Sequence, residues 1–157
     1  MARPSFTVKH LIFCTEVHYP DVRRPQRNST LDGVDYVFGV SPDTEFPFEP
    51  AEFWLYARLY STSDGVGETP PLYVTCVWQD APGGQEVEIW THSLGRIALR
   101  QPGVVLERGW SFRNYEGGLS FRFPNPGRYA FQLWHPTRRY PRKRVKATEF
   151  IRVEVVP

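Results

Sequence analysis

The chain has 157 residues, of which 41% are apolar and 23% are charged. This balance is typical of a globular protein with its own core, excludes an intrinsically disordered chain, and predicts a single domain over residues 1–157. The formal net charge is +2, and six of the 19 Lys and Arg residues lie between positions 137 and 146. Because the positive charge is local, it does not indicate a general affinity for nucleic acid.

The N-terminal segment and the two cysteines indicate the cellular compartment in which we expect the protein. MARPSFTVKH lacks the apolar core of a secretory signal peptide. No later stretch approaches the roughly 18 apolar residues that a membrane-spanning helix requires. Cys14 and Cys76 lie in apolar, strand-like runs and are too few for a disulfide scaffold. We therefore expect a cytoplasmic protein without membrane contact, whose two thiols are free and buried.

In the first part of the chain the apolar pattern repeats every two residues, which is typical of strands. Phe6–Tyr19 is apolar on both faces, as expected for a strand in the middle of a packed sheet. A polar, Arg-rich loop and a strand over Val34–Val40 follow. Ala51–Ser61 alternates, and its aromatic residues favour a strand over the helix that periodicity alone would also allow. One face of this segment carries Phe53, Leu55, Ala57 and Leu59, and the other carries Trp54, Tyr56, Arg58 and Tyr60.

Turn signals divide the rest of the chain into further short strands. Leu72–Asp80 and Glu86–Thr91 flank an Ala-Pro-Gly-Gly turn and predict a hairpin. Trp110–Phe112 and Leu119–Phe123 flank a second turn at Glu-Gly-Gly, and Phe150–Val156 predicts a terminal strand. The strand before it places Tyr129, Phe131 and Leu133 on one face.

These segments amount to about eight or nine strands, without alternating helices and without an internal repeat. The expected fold is all-β, a two-sheet antiparallel β-sandwich with immunoglobulin-like or jelly-roll connectivity. Closure of the strands into a barrel is the alternative.

Sequence motifs at both ends of the chain resemble those of a known group of domains. They are HLIFCTEV (10–17), LSFRFP (119–124), PGRYAF (126–131) and FIRVEV (150–155). Together they resemble a family of small bacterial all-β, immunoglobulin-like sandwich domains of unknown function. In such domains a PGRY turn opens the penultimate strand and an alternating run ends the domain. The resemblance implies the sandwich fold, and it brings no catalytic residues with it.

Metal binding is a first candidate chemistry, because His10, Cys14, Glu16 and His18 share parity on the first strand. At the rise of a strand, His10 and His18 would lie about 26 Å apart and could not share an ion. Glu16 and His18 could do so only with partners from elsewhere. His92 or His135 are the candidates, although scattered histidines at strand ends are usually solvated. We therefore expect no metal and no cofactor.

Catalytic carboxylates are a second candidate chemistry, because Glu86 and Glu88 project from one side of a strand. Val87 and Ile89 alternate with them and look like the inward face, which puts both carboxylates on the solvent side. Nucleophile motifs and phosphate-binding glycine loops are absent from the sequence. The expectation is a protein without catalytic residues; a hydrolase on a jelly-roll scaffold is the less favoured alternative.

The basic segment TRRYPRKRVK between the last two strands is the first candidate binding site. Arginines around an aromatic residue can grip phosphates and stack on a base, or they can contact an acidic protein. A solvated hairpin loop is the plainer interpretation. The candidate contacts are Arg138, Arg139, Tyr140, Arg142, Lys143, Arg144 and Lys146.

The aromatic face of Ala51–Ser61 is the second candidate binding site. Trp54, Tyr56 and Tyr60, with Arg58 among them, could form a platform for a protein or a sugar, and Trp90 and Trp134 share the outward parity of their strands. The alternative is that a covering loop makes this face a second buried layer.

The function expected from these features is a non-catalytic β-sandwich domain in a bacterial cell. It would act as an accessory or scaffold piece through contact with another protein, and it could also self-associate into a homo-oligomer. The alternatives are a module that binds nucleic acid or another polyanion through residues 138–146, and a carbohydrate-binding module that uses the aromatic face.

Overall fold

Twelve strands and no helix occur in the part of the chain that the computed structural model describes. The described residues are 6–14, 16–18, 30–32, 37–50, 53–61, 67–99, 105–112, 121–137 and 143–157. The strands are β1 (Phe6–Cys14), β2 (Glu16–His18), β3 (Thr30–Asp32), β4 (Val37–Val40), β5 (Phe53–Ser61), β6 (Gly67–Glu68), β7 (Leu72–Trp78), β8 (Val87–Gly95), β9 (Ala98–Leu99), β10 (Val105–Phe112), β11 (Gly127–Pro136) and β12 (Lys143–Val155). Within those ranges, no segment could cross a membrane as a helix.

Two sheets pack against each other, and their strand orders are β1-β5-β10 and β4-β12-β11-β7-β8. Two short ribbons, β2-β3 and β6-β9, accompany them. Neighbouring strands are antiparallel except β4, which runs parallel to β12. The predicted all-β, two-sheet sandwich is confirmed, with the correction that its larger sheet is mixed and not purely antiparallel.

The order of the strands gives the sandwich immunoglobulin-like connectivity. β1, β5 and β10 take the places of strands A, B and E, while β7, β11 and β12 take those of C, F and G. Tyr129 near the start of β11 adds a second mark of this fold, because its hydroxyl donates a hydrogen bond to the backbone carbonyl of Asn125. Such a tyrosine corner fixes the turn that leads into strand F.

The core lies between the two sheets and is rich in aromatic residues. The face of β11 that alternation assigned to Tyr129, Phe131 and Leu133 is buried completely. Phe13 of β1 meets Phe131 edge-on, with 4.8 Å between the ring centroids, and so joins the sheets. On β5, Phe53, Leu55, Ala57 and Leu59, which alternation placed on one face, are all buried.

Three predicted elements differ from the observed ones. The segment Phe6–Tyr19 is divided into β1 and β2, which belong to different sheets. Phe121–Phe123 is not a strand; Phe123 makes only an isolated bridge to Phe48. The last strand begins at Lys143, so the predicted terminal strand was too short at its start. A strand tolerates several charged residues where its face is open to solvent, which alternation of apolar residues does not reveal.

The predicted hairpin of β7 and β8 is confirmed, but the facing of its second strand is not. Ile89 is an extra residue in the ladder, because Cys76 pairs with Trp90 while Val77 pairs with Glu88. This bulge turns Trp90 toward the core, where its ring lies 5.3 Å from that of Phe121, although the alternation had placed it outward. Val87, predicted to face inward, is exposed at the start of the edge strand.

Candidate binding surface on the five-stranded sheet

Large apolar side chains that remain exposed are concentrated on one sheet. Among the residues whose side chains the structure describes, all six belong to the five-stranded sheet or directly follow it. Val37, Val145 and Phe150 lie on its outer face, away from the core. Phe150 alternates with the buried Ile151, and Val37 pairs with the exposed Arg152. Val145 pairs with Trp134, which alternates with the buried Leu133. The complete set is Val37, Val87, Val145, Phe150, Val155 and Val156.

An aromatic pair lies on the outer face, near the start of β7 and the end of β11. Tyr73 of β7 and Trp134 of β11 stack with 4.8 Å between their ring centroids. The indole Nε1 of Trp134 donates a 2.8 Å hydrogen bond to Oγ1 of Thr75, whose hydroxyl also lies 2.9 Å from that of Thr91. These bonds hold the indole in one orientation, so this part of the face is rigid before any ligand binds.

Lys143, the first residue of β12, extends its side chain across the same face. Its ammonium lies 5.1 Å from the centroid of the Trp134 ring and forms an ion pair with the Glu88 carboxylate on β8. Partial burial lowers the pKa of Lys143 below its ordinary value, while the adjacent carboxylate favours the charged form. Lys143 is therefore engaged within the domain and is not a free cation of a loop.

A shallow cavity of about 400 Å³ lies at the other end of β12. The Arg128 guanidinium lies 4.3 Å from the centroid of the exposed Phe150 ring, and Arg152 pairs with Glu154 at 3.0 Å. Val37 completes the apolar part of the wall. The cavity therefore combines an aromatic ring, an aliphatic side chain and two guanidinium groups.

Glu149 also lines this cavity. Its Oε1 accepts a 2.9 Å hydrogen bond from the backbone N–H of Phe150. Partial burial raises the pKa of the Glu149 carboxyl above its ordinary value, and this hydrogen bond partly opposes the rise. The carboxylate is thus held against its own strand.

The basic segment is not a single loop cluster. Arg138, Arg139, Tyr140 and Arg142 lie outside the described residues, whereas Lys143, Arg144 and Lys146 belong to β12. The prediction that these three lie in a loop is wrong, because β12 continues the hairpin ladder with β11 as far as the pair Pro136–Lys143.

The three described basic residues lie in different surroundings. Lys146 points toward β1, with its ammonium 4.5 Å from the Phe6 ring centroid. Burial and the nearby Arg144 lower its pKa. Arg144 is exposed and pairs across the ladder with His135, whose ring lies 6.0 Å from that of Phe6. Lys143 and Lys146 thus contact different aromatic rings.

The aromatic face predicted on β5 is not an open platform. Tyr56 is only 5% exposed, which at this residue agrees with the alternative of a second buried layer. Trp54 and Arg58 are half-buried, and the side chain of Tyr60 lies outside those that the structure describes. The more open aromatic and arginine surface is on the opposite sheet. There the residues that sequence analysis missed are Tyr73, Arg128 and Phe150. Phe150 could have been found, because it alternates with the inward Ile151 in the terminal strand.

Glu86 and Glu88 are both exposed, as expected, and bond to Gln79 and Lys143 respectively. Within the described ranges, no three His, Cys, Asp or Glu side chains come together as ligands for a metal ion. Of the histidines considered, His92 stacks on Trp90, and the side chains of Glu16 and His18 are outside those described.

No protein-family model and no curated protein matches this sequence. Among solved structures, the GH3 β-glucosidase of Bifidobacterium adolescentis is similar over 98% of this chain and 18% of its own, with 10% identity and a TM-score of 0.47. A β-glucosidase from Listeria innocua in complex with isofagomine has 11% identity and a TM-score of 0.47 over 98% of this chain and 17% of its own.

The alkylpurine DNA glycosylase AlkC of Pseudomonas fluorescens, bound to DNA containing an abasic site analog, is similar over 98% of this chain and 32% of its own. Its identity is 11% and its TM-score 0.45. The chain thus spans less than a third of the length of each of these proteins, and likeness of this degree carries no functional argument.

Proposed function

We propose that this chain is a non-catalytic sandwich domain that binds another protein through the outer face of its five-stranded sheet. The observation that carries the proposal is the exposure of three apolar side chains on that face, Val37, Val145 and Phe150. Exposed apolar residues that cluster on one surface and are interspersed with polar groups mark protein interaction sites.

The residue types on this face support the proposal. Interfaces are enriched in Tyr, Trp, Phe and Arg, and binding energy concentrates in such residues. Tyr73 and Trp134 are stacked, and the Thr75 bond fixes the indole, so little side-chain entropy remains to be lost on binding. An accessory or scaffold role in the bacterial cytoplasm fits with this surface and with the two buried free thiols.

A polyanion-binding module is the second candidate, and the exposed Arg144 beside Lys146 supports it. Lys143 counts against it, because that ammonium already has a carboxylate partner in Glu88. A carbohydrate platform is less supported, because Tyr56 on β5 is buried.

The double variant Val145→Ser, Phe150→Ser tests the proposal. Affinity capture from a native lysate, with wild type and variant side by side, should show loss of a protein partner at low and at high salt. Arg122→Ala is the matched control, since Arg122 is an exposed residue outside the five-stranded sheet and, among the residues that the structure describes, pairs with Glu49. Circular dichroism must show that all the variants fold. Equal capture by the double variant would refute the outer face as the interface, and capture of nucleic acid that salt abolishes would favour the polyanion alternative.

A further inference from the structure

The cavity at Phe150 combines an exposed apolar wall with a cation that lacks an acidic partner. Phe150 is 37% exposed and Val37 is 41% exposed. Over the described part of the chain, the Arg128 side chain contacts the Phe150 ring and has no carboxylate within ion-pair distance. An arginine whose stem and plane pack on an aromatic ring keeps the edge of its guanidinium free to donate hydrogen bonds.

The second cation of the cavity is available at low cost. Arg152 pairs with Glu154 two residues along the same strand, and both side chains are about half exposed, at 55% and 42%. Ion pairs that are this exposed contribute little to stability and exchange readily with other partners. A carboxylate arriving between Arg128 and Arg152 could therefore bond to both.

We propose that this cavity binds an acidic peptide segment of the partner protein. A Glu or Asp carboxylate of the peptide pairs with Arg128, and an adjacent aliphatic or aromatic side chain packs on Phe150 and Val37. The inference rests on the proposed function and names the chemistry of the partner. At about 400 Å³ the cavity has the size of a small-ligand pocket. It can therefore take a few side chains.

The charges around the cavity favour a peptide over a nucleic acid. Glu149 lines the cavity and Glu154 pairs with Arg152 at its margin, while among the described residues no carboxylate lies within ion-pair distance of the Arg128 side chain. A phosphate backbone brings one charge per nucleotide and needs a row of cations, which these acids would interrupt. An isolated carboxylate beside an apolar side chain needs only one or two cations.

The test uses an array of short acetylated and amidated peptides in which Glu or Asp adjoins Leu, Val or Phe. A matched array carries Gln or Asn at the acidic positions. Binding is measured by fluorescence polarisation against wild type, Arg128→Ala, Arg128→Lys and the control Arg122→Ala. We expect acidic peptides to bind wild type and Arg122→Ala equally. Their affinity should fall about tenfold or more in Arg128→Ala, with partial recovery in Arg128→Lys, because a charge-assisted hydrogen bond is lost.

Three results would overturn the inference: equal binding to Arg128→Ala, equal binding of the Gln and Asn array, or tighter binding of a single-stranded oligonucleotide than of any peptide. Thermal unfolding of each variant verifies that the fold is intact. If the double variant Val145→Ser, Phe150→Ser abolishes partner capture while Arg128→Ala leaves peptide binding unchanged, the proposed interface is supported and the proposed binding of an acidic peptide is refuted. If neither variant matters, both proposals fail.

Discussion

Lys143 and Glu88 form an ion pair although two strands separate β12 from β8 in the five-stranded sheet. The long lysine side chain lies over Trp134 on the way. Because twisted sheets bring diagonally opposite corners toward the same side, two distant strands can approach each other above the outer face. The pair thus links the loop end of the β11–β12 hairpin to the edge strand.

A double-mutant cycle of Lys143→Gln and Glu88→Gln should measure a small coupling. The lysine side chain is 31% exposed and the glutamate 55%, so we expect about 0.5–1 kcal/mol at low salt and less at high salt. Urea unfolding of the four proteins gives the value. A coupling of zero at low salt would mean that the two side chains do not pair in solution.

Gly127→Ala should destabilise the domain by about 1–3 kcal/mol. Gly127 has φ +136°, and an added Cβ would lie 3.0 Å from Asp80 Oδ2 and from Trp78 Nε1. Gly39→Ala is the matched control, because its Cβ would make only an ordinary 3.5 Å contact with Val156. Denaturant unfolding compares the two, and equal midpoints would contradict the role of Gly127 in the turn.

Tyr129→Phe should cost about 1–3 kcal/mol of unfolding free energy near neutral pH. The hydroxyl donates to the Asn125 carbonyl and accepts the Asn125 N–H at 3.2 Å, and the phenylalanine variant leaves both backbone groups unpaired. Unchanged unfolding would show that water replaces the hydroxyl at this corner.

The destabilisation by Tyr129→Phe should disappear in alkali. Burial raises the pKa of Tyr129 from 10.0 to about 12, so the folded state keeps a proton that the unfolded state loses. The stability contributed by this group is complete below pH 10 and is lost as the pH rises toward about 12. The slope for one proton is about 1.4 kcal/mol per pH unit. A difference between wild type and variant that stays constant from pH 10.0 to about pH 12 would contradict the assignment.

Cys14 and Cys76 should react with a thiol reagent only after denaturation. Cys14 is 2% exposed and Cys76 is 0% exposed, and burial raises the pKa of the Cys76 thiol, which suppresses the reactive thiolate. Time-resolved labelling with and without urea makes the comparison. Rapid labelling of either cysteine in the native protein would rule out its burial in solution.

Local pattern was sufficient to predict what depends on neighbouring residues. The buried face of β11 and the inward side of β5 followed from alternation, because each side chain of a regular strand points opposite to the previous one. The facing of Trp90 did not follow, since the bulge at Ile89 shifts the register by one residue and leaves no trace in composition.

Long-range relationships were beyond the pattern. The parallel pairing of β4 with β12 depends on the arrangement of the whole chain and not on the local sequence Val37–Val40. The partner of Lys143 was hidden for the same reason: an ion pair across two strands has no sequence spacing of its own. The exposure of Phe150 could be predicted from the alternation of side chains along the terminal strand. The position of Arg128 over the Phe150 ring could not, because it depends on the register of β11 against β12.

The parallel pairing of β4 with β12 has a mechanical consequence. Their ladder joins Val37–Val40 to Arg152–Val155, and the backbone N–H of Val156 adds a 2.8 Å bond to the carbonyl of Val40. When the chain is stretched between these two strands, their hydrogen bonds lie across the direction of pull and bear the load together. The antiparallel β11–β12 hairpin, pulled from its open end, would instead separate one bond at a time. Under tension the hydrogen bonds of the short parallel ladder would therefore have to break together. The force needed to separate β4 from β12 would exceed the force that opens an antiparallel hairpin with equally few hydrogen bonds.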